Sequence, residues 1–186
     1  MNIAVFASGS GSNAQKIFEH FEHHSTLKVA LLVCNKPEAY VIERAKKFGI
    51  PVLIVDKNSF SDENFLLSAL KEYKIDFIVL AGFLWLIPAY LIKAYPDKMV
   101  NIHPALLPKY GGKGMHGAHV HKAVHENKEK ESGISIHFVN EVYDSGKVIF
   151  QATCNVEGLP PEDIAKEVLK LEHLHFPEVI EKILLG

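Results

Sequence analysis

The chain has 186 residues, of which 48% are apolar and 23% charged, and its net charge is −2 at neutral pH. That length suits one domain with a sizeable core, and the composition is that of a globular protein. A slightly negative chain sets up no basic field for nucleic acid. The opening "MNIAVFASGSGSN" has no basic n-region, and its apolar stretch ends at Ala7. This is too short for a signal peptide or a membrane span, so a cytoplasmic protein with no membrane partner is expected. Cys34 and Cys154 lie in or beside apolar runs without CxxC spacing, which predicts buried, reduced thiols.

"NIAVFA" (2–7) reads as a buried strand, followed by a helix over 13–23 with Ile17, Phe18 and Phe21 at helical spacing. "KVALLVC" (28–34) is a second strand. "PEAYVIERAKKFG" (37–49) predicts a helix, with proline near its start and glycine just past its end. "VLIV" (52–55) is a third strand, and "SDENFLLSALKEY" (61–73) a helix capped by Ser61 with acidic residues in its first turn. "DFIVLAG" (76–82) and "MVNIH" (99–103) are the fourth and fifth strands. Continuous apolar strands alternating with helices predict a doubly wound, mostly parallel α/β sheet. "GISIHFV" (133–139) and "KVIFQATCNV" (147–156) follow one another with no helix between and should pair antiparallel. A long helix over roughly 161–183 closes the chain. The whole is expected to be a sheet of about seven strands with an antiparallel C-terminal part.

Ligands in open α/β sheets bind outside the carboxyl ends of the strands. Three such ends carry unusual residues. The first runs into "SGSGSN" (8–13), where Gly9 and Gly11 allow close backbone approach and a helix N-terminus follows. This predicts a phosphate loop. It is no Walker A loop, because no GK[ST] follows, and a dinucleotide site lacks its acidic residue after strand two. The fourth strand runs into "AGFLWLIP" (81–88), read either as a helix-packing corner or as an apolar pocket for a flat ligand built from Phe83 to Ile87. The fifth runs into "NIHPALLPKYGGKG" (101–114), in which Asn101 and His103 share one side of the strand.

"HGAHVHKAVH" holds His116, His119, His121 and His125. His121 and His125 have the i, i+4 spacing of a zinc pair, but no HExxH and no nearby thiol accompany them. A solvated helix face or loop, without metal, is the expectation. His137 alternates with apolar neighbours and is read as a solvent-side or cleft-side strand residue. "YDSG" (143–146) is a turn, of functional interest only if Asp144 faces His103.

"FASGSGSN", "LAGF", "NIHPALLPKY", "GISIHFVNEVYDSG", "QATCNV" and "EHLHFP" are similar, in order and spacing, to motifs of the phosphoribosylglycinamide formyltransferase family. The resemblance covers essentially the whole chain. It implies the formyltransferase fold as a single domain over 1–186, with a phosphate-binding half over about 1–100 and a catalytic, folate-binding half over about 101–186. The co-substrate implied is 10-formyltetrahydrofolate, and the acceptor is glycinamide ribonucleotide. The protein is then expected to be a monomer or weak homodimer. The family's motifs assign Gly11, Ser12 and Asn13 to the substrate phosphate. They assign Leu84, Trp85, Leu86 and Ile87, with Asn140, Glu141, Val142, Tyr143 and Asp144, to the pterin. Asn101, His103 and Asp144 are implied to be catalytic, and Glu172 to contact the glycinamide ribonucleotide. Three departures stand out. Trp85 replaces an arginine common in the family, Glu63 lies near where some members place a folate-side arginine, and "KYGGKGMHGAHVH" is longer than the common form of its loop.

Amine attack on a formyl carbon makes a tetrahedral oxyanion, which needs positioned donors. Asn101 offers an amide N–H and a protonated His103 a charged one. Burial would strip that proton, and Asp144 would counter the loss. Rival readings are a formyltetrahydrofolate hydrolase, expected to carry an N-terminal regulatory domain, and a methionyl-tRNA formyltransferase, expected to need a further C-terminal domain and a basic surface. A non-enzymatic nucleotide-binding module would leave Asn101, His103 and Asp144 unexplained.

Overall fold

The computed structural model describes residues 1–186, and the chain divides into two compact units, Met1–Val100 and Asn101–Gly186. In the first unit, β1 (Asn2–Ala7), β2 (Lys28–Cys34), β3 (Val52–Ile54) and β4 (Ile75–Leu80) alternate with helices. β1 pairs in parallel with β2 and with β4, and β2 with β3. Every residue from Ile3 to Ala7 is fully buried. Neighbouring residues of a strand point to opposite faces, so both faces of β1 are covered, and its sequence has no need of polar alternation.

Helix α1 (Ser12–Phe21) buries Ala14, Ile17, Phe18 and Phe21. That is the i, i+3, i+4, i+7 stripe of a helix with one apolar face. It packs on β2 and on α2 (Val41–Lys47). Helix α2 is shorter than the 37–49 expected, because Pro37 to Tyr40 turn before it begins. The Ala39 N–H donates to the Lys36 carbonyl, and the Val41 N–H leaves the helix altogether to reach the Gly9 carbonyl at 3.2 Å. Ser61 does not cap a helix over 61–73. It ends a short helix, α3 (Lys57–Ser61), and Asp62 caps α4 (Glu63–Glu72) by accepting the Phe65 N–H at 3.1 Å. A carboxylate both accepts that hydrogen bond and meets the positive end of the helix dipole. Neither α3 nor α5 (Ala89–Ala94) spans enough residues to show a helical period in sequence.

β5 (Met99–His103) contains the boundary between the units. The second unit then holds α6 (Ala118–Glu126), β6 (Glu131–Phe138), β7 (Val148–Asn155) and α7 (Pro161–Leu185). β6 and β7 pair antiparallel, and their register slips between Ile136 and His137. Helix α7 packs on α6, β6 and β7 and buries Ile164, Val168, Phe176, Val179 and Ile180. The seven strands are hydrogen-bonded in the order β3-β2-β1-β4-β5-β6-β7. The expected doubly wound sheet, its antiparallel C-terminal strands and its closing helix are all present. Both cysteines are free, but only Cys34 is buried as expected. Cys154 is half-buried because β7 is last in the strand order and is covered less completely. No helix is long and apolar enough to cross a membrane.

Candidate active site

The polar end of β5 is explained by what lies beside it. The Asp144 carboxylate touches both Asn101 and His103. Its Oδ2 is 3.5 Å from His103 Nδ1, and its Oδ1 accepts an Asn101 Nδ2–H at 3.4 Å. Asp144 adopts a left-handed conformation, φ 52°, which aspartate tolerates better than most residues. Its turn is pinned by Asn140, whose Oδ1 accepts the Val142 N–H at 3.0 Å and the Ser145 hydroxyl at 2.9 Å. A further support comes from the glycine loop after β5, where the Gly112 N–H donates to Asp144 Oδ2 at 3.0 Å. A Cβ on Gly111 would lie 2.5 Å from the Leu107 side chain and 3.3 Å from Asp144 Cβ. The loop approaches the carboxylate this closely because residue 111 has no side chain.

His137 completes the cluster. It is buried rather than solvent-facing, which resolves the two orientations left open by its alternation. Its Nε2 is 3.1 Å from Asn101 Nδ2 and 3.6 Å from Asp144 Oδ1. Its Nδ1 is 2.9 Å from the Phe138 carbonyl. A carbonyl only accepts, so Nδ1 carries the hydrogen there, and the Nε2 lone pair accepts from Asn101. The slip in register at His137 is the kind of irregularity that re-aims a strand side chain.

The same reasoning assigns the protons of His103. Its Nε2 lies 2.7 Å from the Tyr110 carbonyl and therefore donates. Nδ1, beside Asp144, is left as the atom that gains or loses a proton. Burial is the largest influence on this ring and lowers its pKa. Asp144 and the Tyr110 carbonyl pull it up, and the nearby His137 pushes it down again. The balance falls below the ordinary histidine value, so the resting ring is weighted to its neutral form despite Asp144. For Asp144 itself, burial is the largest influence and raises the pKa. The His137 ring, the charge of His103 and the Gly112 N–H together outweigh it, leaving the carboxyl below its ordinary value. The site thus holds an anion beside an imidazole poised to take up a proton.

The segment after His103 is clamped from β6 and β7. The Leu107–Pro108 peptide is cis. The fully buried Ser135 hydroxyl donates to the Ala105 carbonyl at 2.7 Å and accepts the Leu107 N–H at 2.9 Å. Gln151 Nε2 donates to Ser135 Oγ at 2.8 Å and to the Leu107 carbonyl at 3.1 Å. Neither residue stands out in sequence, since Ser and Gln in strands are ordinary.

The other expected site residues lie as follows. Gly11 has φ 73°, and its Cβ would fall 2.3 Å from Val41 Cγ2, so glycine is required there both for conformation and for space. Ser12 and Asn13 open α1 directly after it. In the 84–87 stretch, Leu84 and Leu86 are exposed while Ile87 is buried. The Trp85 ring lies tilted at 5.4 Å from Phe60 and edge-to-face at 6.1 Å from Phe83, so it belongs to an aromatic cluster. Val142 is 64% exposed, an apolar side chain left in water by folding. Glu141 is exposed, Tyr143 half-buried, and Glu63 exposed at the start of α4. Glu172 is buried in α7.

The histidine-rich segment corrects one expectation. His121 lies on the buried face of α6, not on a solvated one, and burial first, then the neighbouring His103, lowers its pKa. His125 Nδ1 donates to the Leu159 carbonyl at 2.8 Å. No three His, Cys, Asp or Glu side chains converge in a way that could hold a metal ion.

Comparison with known proteins places these features in a wider set. The chain matches the profile of the formyl transferases over residues 1–180. It is 45% identical to the chloroplastic phosphoribosylglycinamide formyltransferase of Arabidopsis thaliana, over 97% of this chain and 64% of that protein. It is 37% identical to the phosphoribosylglycinamide formyltransferase of Bacillus subtilis, over 97% of this chain and 93% of that one. The crystal structure of phosphoribosylglycinamide formyltransferase from Bacillus halodurans superimposes with a TM-score of 0.89 at 34% identity, covering 99% of this chain and 95% of that one. The chain spans 64% and 60% of the length of the two plant relatives it matches.

Proposed function

Since the chain belongs to the formyl transferase family, we propose that it transfers the formyl group of 10-formyltetrahydrofolate to the amine of glycinamide ribonucleotide, a step of purine synthesis. The observation that carries this reading is the cluster of Asn101, His103, His137 and Asp144 at the end of β5, with its two imidazoles buried. Its parts match what amine-to-formyl transfer requires. The amine forms a bond to the formyl carbon, and the carbonyl electron pair moves to oxygen. The tetrahedral species then collapses with loss of N10, which gains a proton, while the attacking amine loses one.

In the resting site two of the donors are held by neutral acceptors, and the third reaches the Asp144 carboxylate only at long range. The Asn101 amide hydrogens go to His137 Nε2 and, at 3.4 Å, to Asp144. The His103 Nε2–H goes to the neutral Tyr110 carbonyl. Hydrogen bonds to an ionised acceptor are about twice as strong as neutral ones. A developing oxyanion therefore competes for these donors better than the uncharged formyl oxygen does. Interactions that strengthen only in the transition state are those that raise kcat. A neutral His103 with an anion beside Nδ1 is suited to accept the proton shed by the amine. As imidazolium it supplies a charged donor, and it can return the proton towards N10 through water.

Gly11, Ser12 and Asn13 are assigned to the substrate phosphate, and Glu172 to the glycinamide ribonucleotide. The 84–87 and 140–144 stretches are assigned to the pterin of the folate, which fits the exposed Leu84, Leu86 and Val142 side chains. Apolar surface left uncovered on otherwise folded loops is what a flat ligand would cover. The enzyme is placed in the cytoplasm as a monomer or weak homodimer, with no metal in the reaction. A coupled assay with both substrates tests the reading. Formyl transfer that depends on glycinamide ribonucleotide, and that is lost in Asn101→Ala and His103→Ala, is expected. Formate release at an undiminished rate without the ribonucleotide would make the chain a hydrolase instead.

A further inference from the structure

The loop 9–11 is held from behind, and the holding residue lies outside the motif. Each of its three carbonyls has a donor. The Gly9 carbonyl accepts the Val41 N–H at 3.2 Å, and the Gly11 carbonyl accepts the Gln15 N–H at 2.9 Å. The Ser10 carbonyl accepts Arg44 Nε–H at 2.8 Å. A second branch of the same guanidinium donates to Gln15 Oε1, and the cation lies 4.9 Å over the Tyr40 ring. Gln15 is fixed in turn by donating to Glu19 at 2.7 Å. Arg44 is therefore anchored on three sides: a main-chain carbonyl, a side-chain amide and an aromatic face.

From this arrangement we infer that Arg44 is a positioning residue for phosphate binding. It holds the Ser10 carbonyl turned away, so that the N–H groups of the loop and of the start of α1 face the anion. The inference rests on the assignment of the substrate phosphate to this loop. Its physical basis is that a peptide unit carries both ends of a dipole. A carbonyl that rotated towards the phosphate would replace an attractive donor with a repulsive acceptor. Only a fork of fixed shape can hold the carbonyl and Gln15 together. An ammonium of the same charge is a flexible point donor and does not reproduce this geometry.

The test is direct binding, by calorimetry, of glycinamide ribonucleotide and of inorganic phosphate to the wild-type chain and to Arg44→Met and Arg44→Lys. Thermal melts confirm that each variant is folded. Loss of one charge-assisted hydrogen bond predicts about a 10-fold weaker Kd for the ribonucleotide in Arg44→Met. A parallel weakening of phosphate is expected, with unchanged affinity for a folate analogue. In steady state the change should fall on KM for the ribonucleotide and leave kcat nearly intact. Arg44→Lys should bind nearly as weakly as Arg44→Met. Arg44→Lys binding like wild type would show that only the charge matters, and would overturn the positioning role. So would an unchanged Arg44→Met. A wild-type chain that bound neither ligand would overturn the phosphate-loop assignment itself, and this inference with it.

Discussion

Replacing Asp144 by asparagine isolates its charge from its shape. Asparagine also tolerates the left-handed conformation, and its amide oxygen can still accept the Gly112 N–H. What disappears is the anion 3.5 Å from His103 Nδ1. At that distance and an effective dielectric of about 20, a full charge pair is worth roughly 5 kcal/mol. Loss of a positioned proton donor typically costs about 10²- to 10⁴-fold in rate, equivalent to about 3–5.5 kcal/mol. The electrostatic term is large enough to account for such a loss, so kcat should fall by at least about 10²-fold with smaller changes in KM. The sign of the pH effect follows from the burial of His103. Burial already lowers its pKa, and Asp144 opposes that. Without the anion the pKa falls further, so the imidazolium that His103 forms on taking the amine proton is destabilised. A base is lost when it is protonated, so the low-pH decline of activity that reports His103 should shift to still lower pH. Steady-state rates across pH for wild type and Asp144→Asn decide the matter. A variant with near-normal kcat and an unmoved profile would refute the reasoning and reduce Asp144 to a turn residue.

Gly11→Ala should destabilise the first unit by about 1–3 kcal/mol, through its positive φ and its collision with Val41. Urea denaturation should show a lowered midpoint for Gly11→Ala that adding Val41→Ala does not restore, because the residue-41 Cβ would still lie 2.5 Å from the new methyl, and full stability in the single variant would contradict the contact. Ser135→Ala leaves the Leu107 N–H without its buried partner, which should cost about 1–3 kcal/mol in the same assay. An unchanged midpoint would mean that the loop is held by other means. His137→Leu removes the acceptor that orients Asn101 and should lower kcat with little effect on KM. An equal rise in both KM values would point to general distortion. Activity should survive EDTA, and the purified protein should carry no stoichiometric zinc by elemental analysis. Loss on chelation with recovery on zinc addition would reverse the reading of the histidine-rich segment.

The strands were legible because burial on both faces demands unbroken apolar runs, as in "NIAVFA" and "KVALLVC". The covalent order of the motifs was enough to place Asn101 and His103 on one face of β5, since alternation is a local property of a strand. Helix boundaries were less legible. Val41 starts α2 late because its N–H serves Gly9, a contact between residues 32 apart in the chain, and Asp62 rather than Ser61 caps α4. What tertiary structure alone decided are the partners. The slip in register beside His137 depends on pairing between two strands and leaves no trace in either one alone. Tyr110 engages His103 through its main-chain carbonyl, a group every residue possesses. Arg44 reads as one more basic residue on a helix until its guanidinium is seen on Ser10. Sequence determines which chemistry a residue can offer. Whether burial strips a proton from His103, or a carboxylate restores it, depends on the distances to atoms brought near only by folding.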